Sequence, residues 1–261
     1  MENVSLIRRE SPGIGALKLY VMLCTIFGRD QMPGRDTFLG MLRKRHLMLP
    51  ILKGRSTTNS NHRFHKYKNL IKEINLSGPN QLWVSDITYI SLKEGVCYLH
   101  LVTDAFSHKI LGWCVSSGLQ SSYTLQALEM AMKNASLKDF SGLIHHSDRG
   151  IQYCCKEYVQ VLCENGIRIS MTEDYKPTEN AIAERVNGII KSECLYRRPK
   201  PDTLEQARNE IEDFIQFYNL KRPHMSIGYE TPQEVYCNPD KWLVKKKWKN
   251  NFEPKIHFTH F

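Results

Sequence analysis

QLWVSDITYISL (Gln81–Leu92) concentrates β-branched and aromatic residues around a single aspartate, Asp86. Such a run forms a strand. A carboxylate in its middle, with apolar neighbours on both sides, is costly to bury and requires a cation or a strong hydrogen-bond donor. A salt bridge to a lysine or arginine would satisfy it, and so would a functional site. Downstream, VCYLHLVTDAF (96–106) and HKILGWCVSSG (108–118) are two more β-rich runs set off by turn residues, so the three together predict an antiparallel meander. The pattern then changes: a helix in SYTLQALEMAMKNA, a strand in GLIHHS, a helix in KEYVQVLCENG ended by Gly166, a strand in IRISM, an irregular TEDYKPTE, and a helix in NAIAERVNGIIKSEC. Three strands followed by helix, strand, helix, strand, helix describe a mixed α/β layer fold.

Upstream, apolar residues recur at helical spacing from Ile14 to about Phe27 (Leu17, Tyr20, Val21, Cys24). After a glycine-containing turn, GRDTFLGMLRKRHLML predicts a second helix carrying Arg43, Lys44 and Arg45 near its end. Two short helices around a turn fit a helix-turn-helix module, and equally a plain helical hairpin. Residues 53–79 are polar and basic, the composition of a linker that either lies on a phosphate backbone or moves freely. Near the other end, TLEQARNEIEDFIQFYN predicts an amphipathic helix that starts at Thr203 with Gln206 three residues on, a capping box.

The chain of 261 residues, 41% hydrophobic and 10% aromatic, can bury a core and carries a formal charge of +9. Its cations cluster at 43–45, at His62–Lys68, at Arg197–Lys200 and at Lys245–Lys249, which favours a polyanionic partner over four independently solvated faces. The tail KWLVKKKWKN interleaves lysines with Trp242 and Trp248, as suits a nucleic-acid contact. Eight cysteines without CxxC spacing, mostly in apolar segments, point to reduced thiols and a cytoplasmic setting. The run LYVMLCTIF is too short to span a bilayer, so no membrane is expected.

Two further acids stand out. Asp148 follows the strand GLIHH where the chain turns into RGIQ, at the carboxyl end where α/β sheets place their sites; a turn-capping aspartate reads the same way. Glu184 lies off the apolar stripe of its helix (Ile182, Val186, Ile189), on a stripe shared with Gly188 and Lys191. The 35 residues between Asp148 and Glu184 prove little alone, because Asp174 and Glu210 show the same separation without a strand in support. His145 and His146, with His62 and His65, raise the thought of zinc, but no cysteine pair stands at ligand spacing and packed or surface histidines account for them better. His146-Ser-Asp-Arg149 with Tyr153 or Tyr175 could be half of a tyrosine-recombinase motif, although that enzyme needs a helical catalytic domain.

WVSDITYI, LVTDAFSHKILGW, HHSDRGIQY, ENAIAERVNGIIKSE and YNLKRPHMSIGYETPQEVY resemble, in order and spacing, the catalytic core of bacterial insertion-sequence transposases related to retroviral integrases, and specifically the second-frame product of the "insertion sequence three" family. The resemblance covers roughly Pro79 to Tyr236. It implies an α/β, RNase H-like (integrase-type) mixed sheet with flanking helices, preceded by a small all-α helix-turn-helix-like segment. The implied division is 1–52 for that segment, 53–78 for a basic linker, 79–238 for the integrase catalytic domain and 239–261 for a basic tail. It further implies a DDE transposase that cleaves DNA and transfers strands, with Asp86, Asp148 and Glu184 both catalytic and metal-binding. Two Mg²⁺ or Mn²⁺ ions are the implied cofactors, since three carboxylates form an oxygen-ligand site. Lys191, Arg185, Arg43, Lys44 and Arg45 are the expected DNA contacts, and His146, Gln152 and Asn180 are motif neighbours. Expected partners are double-stranded DNA at element ends and target, further copies of the chain, and a first-frame product or frameshifted fusion. The expected location is the bacterial cytoplasm, nucleoid-associated when DNA-bound. The sequence departs from the family pattern at Glu179, where relatives commonly carry aspartate, which bears on the loop rather than the chemistry. The alternative function is a catalytically inactive DNA-binding regulator of a mobile element.

Overall fold

The computed structural model describes residues 2–50, 66–72, 74–135, 137–173 and 180–242. Its centre is a five-stranded sheet of β1 (Leu82–Ser91), β2 (Val96–Asp104), β3 (Ile110–Ser116), β4 (Ile144–Ser147) and β5 (Arg168–Met171), in the order β3-β2-β1-β4-β5. The first three strands form the expected antiparallel meander, while β4 and β5 add in parallel on the other side of β1. β1 is therefore central and hydrogen-bonded along both edges, which its Trp, Val, Ile and Thr content favours.

Around the sheet lie α1 (Glu2–Glu10), α2 (Ala16–Phe27), α3 (Arg35–Lys44), α4 (Ser121–Ala135), α5 (Ile151–Cys154), α6 (Lys156–Glu164), α7 (Ala181–Glu193), α8 (Leu204–Leu220) and α9 (Pro232–Cys237). They cover both faces. One apolar cluster joins Ile90, Leu99 and Leu101 of the sheet to Val186 and Ile190 of α7 and to Ile211, Phe214 and Tyr218 of α8. The other joins Trp83, Val102 and Leu111 to Ala127, Leu128 and Ala131 of α4 and to Tyr158 and Leu162 of α6. At Gly112 a Cβ would stand 1.9 Å from the Ala127 carbonyl oxygen, so α4 seats on β3 in backbone contact that no other residue permits. This two-faced mixed sheet is the RNase H-like architecture the sequence predicts.

Three differences from the sequence reading have physical reasons. Helix α1 was not anticipated, because only Val4 and Ile7 anchor it and two residues do not make a legible period. Helix α3 ends at Lys44 rather than running on to Leu49, since Arg45 caps it and His46 turns left-handed at φ 55°. Trp242, grouped with the tail as a nucleic-acid contact, is instead buried against Phe106, Ile227 and Val235, where a large apolar ring gains most. The rest of that tail, Lys245 to Lys249 with Trp248, lies outside the described residues, as do His62, Arg63, His65, Asp174, Tyr175 and Glu179.

The N-terminal helices share the first apolar cluster through Val4, Ile7, Leu19, Leu23, Phe38 and Leu42. A buried ion pair ties them further: Arg222, 2% exposed, donates from Nε and Nη2 to the two carboxylate oxygens of Glu193 at 2.7 Å each, and Lys18 of α2 donates to the same carboxylate at 3.0 Å. Residues 66–72 and 74–76 also dock. Leu70 N–H donates to Ser170 Oγ at 2.9 Å, and Ile71, Ile74 and Leu76 pack against Leu82, Val84 and Ile144. No helix among the described residues is long and apolar enough to cross a membrane.

Candidate active site

Side chains alternate along a strand, so Asp86 shares a face of β1 with Val84 and Ile90, the face that α7 covers. The parallel pairing of β1 with β4 matches Ser85 to Ser147 as its last pair. Asp86 is the next residue of β1 and Asp148 the first residue after β4, which brings the two acids side by side where β4 ends. Asp148 is oriented by its own turn: Oδ1 accepts the Gly150 N–H at 2.9 Å, and a Cβ at Gly150 would stand 2.9 Å from that same oxygen. Glu184, exposed, sits in the first turn of α7. That helix starts beside the acids because Asn180, 6% exposed, donates Nδ2 to the Ser85 carbonyl at 3.0 Å, one residue before Asp86.

Electrostatics tie the three acids together. The Asp86 carboxyl is pushed up to about 7, first by burial, then by the negative charge of Asp148, with a smaller push from Glu184. Two hydrogen bonds oppose this: Asn187 Nδ2 donates to Oδ2 at 2.8 Å, and the Ile87 N–H donates to Oδ1 at 2.9 Å. Burial also raises Glu184. Asp86 thus makes no ion pair among the described residues; an amide holds it. The three carboxyls do not close on a common metal-binding point in this arrangement. Their chemistry, all oxygen and mutually repelling in a desolvated place, is that of a set suited to a hard divalent cation.

Lys191, about one turn beyond Asn187 on α7, lies 4.4 Å over the Tyr89 ring; burial lowers its ammonium while the Asp86 charge raises it. Arg185 is exposed and lines a cleft with Glu184. Arg43, Lys44 and Arg45 are exposed at the end of α3, and no described interaction links them to the acids. Gln152 donates Nε2 to the Leu119 carbonyl at 3.1 Å.

Of the four histidines that suggested metal, the two within the described residues, His145 and His146, are packing residues. His145 is buried with Nε2 2.8 Å from Ser85 Oγ and 2.9 Å from the Tyr158 hydroxyl, and burial lowers it to about 3. His146 is buried with Nδ1 2.8 Å from Ser170 Oγ. Tyr153, 2% exposed, sits in an aromatic cluster with His145 and Tyr158, and burial raises its phenol well above the usual value. Tyr153, a buried neutral phenol on α5 packed beside the sheet, is not placed as a nucleophile; Tyr175, the other candidate, lies outside the described residues. Sequence reasoning missed Asn187. Its signal was an amide on the inward stripe of α7 formed by Ala183, Val186 and Ile190.

Two family profiles, each described as Integrase core domain, match residues 77–177 and 165–232. Over 184 residues the chain is 36% identical to the insertion element IS600 uncharacterized 31 kDa protein of Shigella sonnei, covering 69% of this chain and 66% of that one. It is 34% identical over 160 residues to a putative transposase for insertion sequence element IS986/IS6110 of Mycobacterium tuberculosis, covering 60% and 58% respectively. The chain thus spans about three-fifths to two-thirds of the length of these relatives. Among solved structures, a chain of the simian T-cell lymphotropic virus intasome in complex with PP2A regulatory subunit B56 gamma superposes with a TM-score of 0.53 at 20% identity, covering 85% of this chain and 70% of that one. That likeness is one of fold.

Proposed function

The chain belongs to the integrase core family, in the branch that includes insertion-sequence transposases, and from this we propose that it is a DDE-type transposase that cleaves and joins DNA phosphodiesters. One observation carries the reading. Asp86 stands in β1 beside Asp148, the residue after β4 ends, with Glu184 on the covering helix, and the Asp86 carboxyl is pushed up first by burial and then by the charge of Asp148, with a smaller push from Glu184. Isolated turn-capping or surface acids do not raise one another in this way.

Asp86, Asp148 and Glu184 would hold Mg²⁺ or Mn²⁺, which when bound supplies charge neutralisation and Lewis acidity to phosphodiester chemistry. The chain's own groups prepare that state. Asn187 and the Ile87 N–H favour the ionised form of Asp86, and Gly150 fixes the direction of Asp148. Asn180 holds the start of α7, and hence Glu184, against β1. Lys191 places a cation near Asp86, where a substrate phosphate would approach. Cleavage transfers the phosphoryl group to water and releases a 3′-hydroxyl; joining transfers a target phosphoryl group to that hydroxyl, breaking the target phosphodiester and releasing the target strand's own 3′-hydroxyl. Neither step needs a covalent protein–DNA bond, in keeping with the buried Tyr153. Double-stranded element ends and target are the proposed substrates, and because two ends must be joined, several copies act together. A fusion with a first-frame product is part of the same proposal.

The test is nicking and strand transfer on element-end duplexes with Mg²⁺ or Mn²⁺. Asp86→Asn and Glu184→Gln should each lower activity by more than the ~10- to 100-fold that loss of a supporting residue costs, while DNA binding survives and no covalent adduct forms. Undiminished cleavage by either variant overturns the assignment. If the wild-type protein binds ends without cutting them, the chain is a binding regulator instead.

A further inference from the structure

Near its carboxyl end α1 brings Arg8 up to Arg197, which lies in Leu195–Arg197, a short turn of helix after α7. The Arg8 guanidinium is lowered first by burial and then by the charge of Arg197. Two like charges held together in a partly desolvated place repel, and an anion between them removes that cost. The chain supplies none: no carboxylate among the described residues pairs with either arginine, and the adjacent Glu10 is taken by Lys221. Arg197 spends Nη2 on the Pro50 carbonyl, which neutralises nothing.

The hydrogen-bond donors at this place give a second observation. Arg8 Nε, Arg8 Nη2 and Arg197 Nε are each sealed from solvent without an acceptor. Nε and Nη2 are the paired donors along one edge of a guanidinium, whose parallel N–H bonds match two oxygens of a single oxyanion. Ser11, fully buried, also has an unpartnered hydroxyl. It follows Arg8 by three residues, and its N–H still donates to the Ile7 carbonyl at 3.0 Å, so it extends the helical turn on the side of Arg8. A buried donor without an acceptor has given up its hydration for nothing.

We propose that Arg8, Ser11 and Arg197 form a binding site for a free phosphate-type oxyanion. A carboxylate would offer two oxygens to these four donors, whereas a phosphate offers four. Both arginines remain partly exposed, so a small ion can enter by a side-chain rotation. A duplex backbone, whose phosphates are flanked by sugars, cannot follow it to atoms sealed from solvent. The bound ion neutralises both guanidinia and cross-links α1 to the chain beyond α7. The site rests on none of the active-site assignments.

The experiment melts the metal-free full chain at fixed pH and ionic strength while millimolar inorganic phosphate replaces chloride. General exclusion of phosphate from protein surfaces acts on wild type and variants alike and does not saturate. Wild type should show a saturating rise of a few degrees. Arg8→Met, similar in length but uncharged, should melt no lower than wild type in chloride, because repulsion and two unpaired donors are gone, and should lose the saturating rise. Arg8→Lys keeps the charge without the parallel donors and should need several-fold more phosphate for the same rise. Anisotropy of a fluorescein-labelled duplex in chloride should give wild type and Arg8→Met the same affinity. A wild type without the saturating rise, or an Arg8→Met chain that retains it, overturns the site. An Arg8→Met chain that melts several degrees below wild type in chloride shows the guanidinium serving packing, and the proposal fails. Loss of duplex affinity by Arg8→Met alongside loss of the phosphate response assigns the donors to the DNA backbone and overturns the free-anion reading.

Discussion

Asp86 depends on Asn187 more than on any cation: that amide and one backbone N–H are its described hydrogen-bond donors, and both draw its carboxyl back down against burial and the charge of Asp148. Replacing Asn187 with alanine removes the stronger opposition, so the carboxyl rises further and a larger fraction is protonated at neutral pH. Asn187→Ala is therefore expected to lower Mg²⁺-dependent cleavage by about 10- to 100-fold at pH 7 and to move the acid limb of the pH–rate profile upward, with DNA affinity unchanged. A profile superposable on wild type refutes this role. In the sequence each acid stands out singly, Asp86 inside an apolar strand, Asp148 at the end of one and Glu184 off its helix's apolar stripe, but each also has a plain structural account, and only the resemblance joins them into a set. Asn187 broke a rule as well, but an inward amide on a helix is more often a satisfied packing residue. Only the three-dimensional approach of α7 to β1 distinguishes the two.

Helix α8 shows how far period and caps reach at the scale of an element. Its buried Ala207, Ile211, Phe214, Ile215 and Tyr218 follow helical spacing, and Thr203 Oγ1 accepts the Gln206 N–H at 3.1 Å as expected. The reciprocal arm is offset by one residue, since Gln206 Oε1 accepts from the Asp202 N–H at 2.8 Å rather than from Thr203. Thr203→Ala should lower the unfolding free energy by about 1 kcal/mol, read as a shift of the urea midpoint with the slope unchanged. A shift of a few tenths or less would show that the Gln206 arm alone caps the helix. Helix α9, with six residues, is too short for a period to be read, though Thr231 caps it through the Glu234 N–H in the same way, with proline in its first turn. Element length, more than composition, separated what was legible from what was not.

Across the whole molecule, buried neutral histidines set the response to acid. His100 bonds Thr124 and Ser116, His145 bonds Ser85 and Tyr158, and His224 stacks on His108 with its edge toward Tyr218; burial lowers them to about 4, 3 and 2. Their unfolded counterparts titrate near 6.5, so as pH falls below that value the unfolded chain takes up protons that the folded chain refuses. The stability they confer is full above about pH 6.5 and is lost progressively toward pH 4, at up to about 1.4 kcal/mol per histidine per pH unit. Asp86 acts in the opposite sense: its folded carboxyl, at about 7, gains a proton before the unfolded one does, which stabilises the fold as pH falls from 7 toward 4. His108 is lowered by burial to about 4 as well, and these four histidines outweigh the carboxyls that burial raises, Asp86 with Asp104 and Glu184, which leaves a net loss. The melting temperature of the metal-free protein should therefore fall steadily from pH 7 to pH 5. His100→Gln, which can keep an amide between Ser116 and Thr124 without a group that titrates, should make that descent shallower by about one proton. Asp86→Asn should make it steeper, because it removes the opposing uptake while raising stability at pH 7 and above. A melting temperature constant across this range, or a His100→Gln curve parallel to wild type, contradicts the assignment of acid sensitivity to the histidine core.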